Sequence, residues 1–303
     1  MRTSLHRLAE IRCLPTPSHG GYTSPPRQRS TTTAMKAPAW RGAVLVALAM
    51  VGGCGGGSGS SPPPPPPPPP PVNASPGGIW VGTDPISLTP VLGLVAETGE
   101  LFFNAGGAIN GGVYYVGQFT VDGNAINANI DAIAMQNSHY PDGATWGTGT
   151  LGGQIVERTS IDGGVTINTD PAPPAQGHTY SNSLSLTFSS QYNRASSLAT
   201  IAGNYGPSSL ALTISADGVL FAQDAGTGCV INGVITTIDT RFNMYAVTLS
   251  TMNCAAEFAV PDGAQLKGLA TLNNSQAPDY VIIRAADTVS ATKSAMTITM
   301  NRM

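Results

Sequence analysis

The sequence predicts an all-β protein, with two tandem antiparallel barrel-like or sandwich units following a disordered N-terminal region. Three observations predict it. From Gly77 to Met303, short apolar-alternating runs are broken every 8–15 residues by Gly, Asn, Asp or Pro. No stretch in that span keeps a helical period for ten residues. The same succession of runs also occurs twice, which divides the span into repeats at 77–195 and 196–303.

The clearest strand is Ala125–Ala134, where Ile126, Ala128, Ile130 and Ala132 share one face and Asn127, Asn129 and Asp131 the other. A period of two with one apolar side is the mark of a half-buried antiparallel strand. Asp122-Gly123-Asn124 before it supplies a hairpin turn, because Gly and Asn tolerate positive φ. The same alternation marks strands at Ser183–Phe188, Tyr245–Leu249 and Met296–Met300.

The repeat is read from three matches. Gly78-Ile79-Trp80 is echoed by Gly203-Asn204-Tyr205, and the run Leu94–Phe102 (LVAETGELF) by Thr213–Phe221 (TISADGVLF). Tyr115–Phe119 and Ile231–Ile235 then each centre on a glycine, Gly117 and Gly233. Each copy therefore has an opening aromatic strand, a second strand, a tight turn ending in Gly, and a third strand. The boundary at Arg194–Ala199 holds no Pro/Gly linker, so the halves are expected to pack together.

The chain ahead of the repeats differs in kind. Lys36 and Arg41 precede an apolar run, Gly42–Val51 (GAVLVALAMV), which leads through Gly52-Gly53 into Cys54. That run is too short for the roughly 20 residues of a membrane-spanning helix but suits the core of a signal peptide. With Cys54 it resembles a bacterial lipoprotein signal with a lipobox, although Val51 stands where that pattern favours leucine. The resemblance implies a signal peptide over 35–53, diacylation of the Cys54 sulfur and cleavage just before it. It also implies N-acylation by a chain such as palmitate; two or more acyl chains give stable anchoring. Residues 1–34, rich in Arg, Ser and Pro, read as an upstream extension.

A tether over 54–76 follows, with flexible GGGSGSS and then Pro62–Pro71. The ten prolines are expected to form a polyproline II rod of about 31 Å. From Cys54 onward the chain has 7 Lys and Arg against 16 Asp and Glu, so 7 − 16 = −9. That balance disfavours nucleic acid as a partner. Cys229 and Cys254 are the remaining cysteines, and an exported chain places them in one disulfide worth about 3 kcal/mol.

The sequence implies no enzyme, cofactor or metal. Gly-x-Ser-x-Gly is absent from the folded span, and His139 and His178 lack metal-ligand spacing and sit in turn-rich loops. Asp122, Asp142, Asp162, Asp217 and Asp262 each precede a glycine and read as turn residues. Trp80, Trp146, Phe102, Phe119, Phe221 and Tyr115 read as barrel core, or as the wall of a cavity for a small apolar ligand. Arg241 is expected to pair with Asp239 at a strand edge, or with Glu257.

Trp80–Met303 is also similar to a family of proteobacterial envelope lipoproteins. The residues that carry this are Tyr192-x-Arg194-x-Ser196-Ser197-Leu198, Gly203-x-Tyr205 and Asp239-x-Arg241-Phe242-Asn243-x-Tyr245, with Cys229 before and Asn253-Cys254 after. The resemblance implies a periplasmic or surface β-domain and nothing about substrate, and it brings no established activity. An outer-membrane anchor is expected because Gly55 stands where Asp would favour inner-membrane retention. The expected role is structural or binding, toward an envelope protein, with a lipocalin-like carrier of a small apolar ligand as the alternative and a hydrolase of unknown substrate third.

Overall fold

A computed structural model describes residues 72–106, 111–206, 209–255, 260–275 and 277–303. The leader, Cys54 and most of the tether lie outside these. The first unit is a closed eight-stranded antiparallel barrel in simple meander order. Its strands are β1 (Gly78–Thr83), β2 (Pro90–Val95), β3 (Glu100–Ala105), β4 (Val113–Asp122), β5 (Ala125–Ala134), β6 (Trp146–Val156), β7 (Ser160–Thr169) and β8 (Thr179–Phe188). β1 closes on β8 through Trp80↔Phe188, Val81↔Thr187 and Gly82↔Leu186.

A 3₁₀ turn at Ser190–Asn193 and one short helix, α1 (Leu198–Ile201), lead to the second unit. Its strands are β9 (Gly203–Tyr205), β10 (Leu210–Ile214), β11 (Val219–Asp224), β12 (Val230–Thr237), β13 (Tyr245–Met252), β14 (Gln265–Asn273), β15 (Tyr280–Asp287) and β16 (Ser294–Asn301). This sheet closes just past β16. Tyr205 bridges Arg302, the Gly206 amide donates to the Asn301 carbonyl (2.8 Å), and the Met303 amide to that of Asn204 (2.9 Å). The first unit thus removes the free sheet edges that would otherwise invite pairing with other chains, and the second joins its end strands over Asn301–Met303.

The strands expected at Ala125–Ala134, Ser183–Phe188, Tyr245–Leu249 and Met296–Met300 are all present, the first with the same bounds and the others as parts of longer strands. The repeat holds down to register. Leu101 pairs Gly117 and Phe102 pairs Val116 in the first barrel, as Leu220 pairs Gly233 and Phe221 pairs Asn232 in the second. Gly99 (φ +92°) and Gly218 (φ +87°) end the two matching turns. Phe119 and Ile235 donate their amides to the carbonyls of those glycines, each at 2.8 Å. The opening aromatics also correspond: Trp80 Nε1 donates to the Pro76 carbonyl (3.1 Å) and the Tyr205 hydroxyl to the Ile201 carbonyl (2.5 Å), four residues back in each case.

Period-two alternation fills each barrel. Trp80, Phe103, Tyr115, Phe119, Ile126, Ile130, Leu151 and Ile161 lie inside the first, and Tyr205, Ile231, Tyr245, Leu266, Ile283 and Ile298 inside the second. Here the expected core needs correcting. Phe102, Phe221 and Trp146 point outward, because each occupies a position whose neighbours along the strand (Phe103, Leu220 and Gly147) turn inward. Asp162 also departs from its expected place in a turn. It lies within β7 and accepts a bond from the Ser185 hydroxyl (2.7 Å).

A third apolar cluster joins the barrels, bringing Ile79, Leu94, Phe102, Tyr114 and Val116 against Leu269, Ile282, Ala286 and Ala295. β15 is consequently covered on both faces, which explains its nearly unbroken apolar run. The halves pack together, as the missing linker implied. The disulfide Cys229–Cys254 is formed and ties the ends of β12 and β13.

Candidate functional site

A groove of about 630 Å³ lies between the barrels. One wall is the outer face of β3–β7. The outward residues of β4, β5 and β6 form a continuous polar ladder, with Gln118 opposite Asn129 and Asn129 opposite Thr150. A second row runs Asp131, Thr148, Asn168. The facing wall is Lys267, Gly268, Ala286 and Thr288, and Glu100 and Phe102 also line the groove. These outward positions are polar because the alternation that sends Ile126, Ala128 and Ile130 into the barrel sends amides and hydroxyls out. Such a wall offers many neutral donors and acceptors, two carboxylates and one ammonium. Of the carboxylates, Asp131 is paired with Lys293 (3.3 Å), whose ammonium stands 5.7 Å from the Trp146 ring centre.

Two arrangements hold the barrels that frame this groove. Arg284, 3% exposed, projects from the outer face of β15 into the apolar contact. Its Nη1 donates to the carbonyls of Leu92 and Phe102, on β2 and β3. Burial lowers its pKa to about 10, with Tyr114 acting the other way. Its Nε has no hydrogen-bond partner among the described residues.

The second arrangement sits at the junction. Arg158 binds the Glu97 carboxylate (2.7 Å) and the Asn193 side chain (2.7 Å). Its guanidinium lies 4.4 Å from the Phe242 ring centre and 5.1 Å from that of Tyr192, and those two rings stack at 5.0 Å. The Tyr192 hydroxyl donates to Glu97 (3.1 Å), and burial followed by the Glu97 charge pushes its pKa up.

The open end of the first barrel gathers Tyr115, Tyr140 and Tyr180 around a space of about 10 Å³, room for one water molecule at most. The Tyr140 hydroxyl is buried without a partner among the described residues, and burial is the main cause pushing the Tyr115 and Tyr140 pKa values up. Nearby, Asp142 accepts from the Thr169 hydroxyl and the Ala144 amide (3.1 Å), with His178 Nδ1 at 3.6 Å. Desolvation acts to raise the Asp142 pKa, but these hydrogen bonds and His178 outweigh it and the pKa is lowered.

The residues singled out from the sequence do not converge. His178 stands beside a carboxylate, but its side chain is 63% exposed; His139 is exposed in the connection between β5 and β6. Arg241 does pair with Asp239 (2.6 Å), in the loop between β12 and β13 rather than at a strand edge. That contact, with the Arg241 amide, lowers the Asp239 pKa to about 2. Glu257 lies outside the described residues. No group of three or more His, Cys, Asp or Glu able to hold a metal occurs among the described residues.

Sequence reasoning missed Glu100, Gln118 and Lys267 in the groove and Arg158 at the junction. Each acquires its role from a residue far away in the chain, and no local pattern encodes that. Comparison with known proteins gives no match to a family model, a curated protein or a solved structure.

Proposed function

We propose that this chain is a lipid-anchored envelope lipoprotein whose paired barrels bind a polar ligand in the groove between them. Cys54 would carry the diacylglycerol anchor at the outer membrane, and the proline rod would hold the barrels away from it. The observation that carries the binding reading is a contrast of volumes. The groove offers about 630 Å³ outside the barrels, whereas the mouth of the first barrel leaves about 10 Å³. Ligand sites ordinarily need about 300 Å³ or more. The amide- and hydroxyl-rich walls favour a neutral, hydroxyl- or amide-bearing ligand, because buried polar groups on either side would each find a partner.

Carriage of a small apolar ligand inside a barrel is the second reading. The eight-stranded barrel fold speaks for it. The filled interior of the first barrel speaks against it.

Two measurements test the proposal. Incorporation of labelled palmitate should be lost on Cys54→Ala; equal labelling of both chains would remove the anchor. Native mass spectrometry of protein taken from its own envelope should show a bound small molecule, absent from Asn129→Trp, which fills the groove from an exposed position. Adduct of unchanged mass and occupancy in that variant would rule the groove out.

A further inference from the structure

We propose that the outer face of β11–β13 is a self-association surface, by which two copies of this chain pair about a two-fold axis. The face carries Val219, Phe221, Val234 and Met252, with 51%, 45%, 45% and 49% of their surface exposed. Val219 and Val234 are direct cross-strand partners, and Phe221 follows on the same face of β11. Among the described residues of β10–β13, no outward side chain bears a charge; the remainder are Ala, Thr, Ser, Asn, Gln and Val. A contiguous apolar centre with an uncharged amide and hydroxyl rim is the composition of a protein contact.

The repeat identifies the occupant. Phe221 corresponds to Phe102 in register, and Phe102 is 7% exposed because it packs against the second barrel. The first repeat therefore already uses this part of its barrel to bind the β14–β16 face of a barrel of its own kind. Its cross-strand pair Glu100↔Gln118 is exposed and polar; the second repeat has Val219↔Val234 at the same place, also exposed. Water contact alone would favour the first choice, so the valines point to a covering surface.

Among the described residues, β14–β16 are already spent on the first barrel. A second copy can offer the same uncharged face, and the isologous contact requires only one patch. It also brings two acidic chains together through β11–β13 faces whose own outward side chains carry no charge.

The test uses the full chain in isolated envelopes. Val234→Cys, oxidised and run on a non-reducing gel, should give a band at twice the monomer mass, which the unsubstituted chain does not give. Adding Phe221→Asp should lower that band at least tenfold. Thr248→Asp, opposite Val234 and itself exposed, repeats the test should Phe221→Asp disturb folding as judged by circular dichroism. No cross-link from Val234→Cys, a cross-link indifferent to both aspartates, or a product of some other mass would each overturn the proposal.

Discussion

Substituting Gly218 by alanine should destabilise the chain several-fold more than the same change at Gly123, although both glycines sit in turns with positive φ. At Gly123 φ is +58° and an added Cβ meets nothing within 4 Å. The cost there is the left-handed penalty of about 1–2 kcal/mol. Loss of unfolded-chain entropy offsets it by about 0.4–1 kcal/mol. The net expectation is about 0.5–1 kcal/mol.

At Gly218 φ is +87° and the new Cβ would lie 2.3 Å from the Ile235 carbonyl oxygen, a backbone atom with no rotamer to escape into. Relief requires moving the turn away from β12. That weakens the bond from the Ile235 amide to the Gly218 carbonyl (2.8 Å). Such a bond contributes about 1 kcal/mol, and the shifted packing costs about as much again. A total of about 2–4 kcal/mol is expected, lowering Tm by about 5–15 °C for a domain of this size. Gly99→Ala should behave like Gly218→Ala, since its Cβ would stand 2.6 Å from the Phe119 carbonyl oxygen. Urea unfolding of the three variants decides the matter. Equal losses at Gly123 and Gly218 would refute the collision, and unequal losses at Gly99 and Gly218 the equivalence of the two repeat turns.

Four further outcomes are expected. Arg158→Met keeps bulk but loses the Glu97 ion pair and the stacking on Phe242, so unfolding free energy should fall by about 1–3 kcal/mol; a fall below 0.3 kcal/mol in urea melts counts against the junction described above. Replacing Cys229 and Cys254 by alanine frees a loop of 25 residues and should cost about 3 kcal/mol, and dithiothreitol should give the same loss on the unsubstituted chain alone. Leu88, exposed at φ +57°, takes the place in the β1–β2 turn after Asp84 that Gly228 takes at φ +74° in the β11–β12 turn after Asp224, each amide donating to the aspartate carbonyl at 2.9 Å. Leu88→Gly should therefore raise stability by about 0.5–1 kcal/mol, and any loss would contradict that turn geometry. The Asp142 pKa is lowered on folding, so its contribution is present above the ordinary carboxylate range and disappears as pH falls through the depressed value. Thr169→Val should shift acid unfolding to higher pH, and an unchanged acid midpoint would argue against the Thr169–Asp142 bond.

Much of the architecture is legible in the residues themselves. Alternation in Ala125–Ala134 states which side chains face inward, and Gly99 and Gly218 mark turns that only glycine makes without strain. These are properties of a few consecutive residues, set by backbone sterics and the period of the strand. The same rule explains where the expectation of a core went wrong. An aromatic residue suggests burial, but parity along the strand decides its side, which puts Phe103 inside and Phe102 outside.

What alternation leaves open is the covering of the outer faces. Phe102 and Phe221 hold equivalent places in their repeats, yet one is buried and the other half exposed. Nothing near either residue separates them. The difference arises because β14–β16 fold back onto the first barrel and leave β11–β13 uncovered. The same packing buries Arg284 among apolar side chains, a place no strand pattern would assign to a guanidinium. Local sequence thus determined the strands, their inward faces and their repetition. Tertiary contact alone decided the groove, the junction and the free face, because each joins residues whose mutual approach depends on how two finished barrels come to rest against each other.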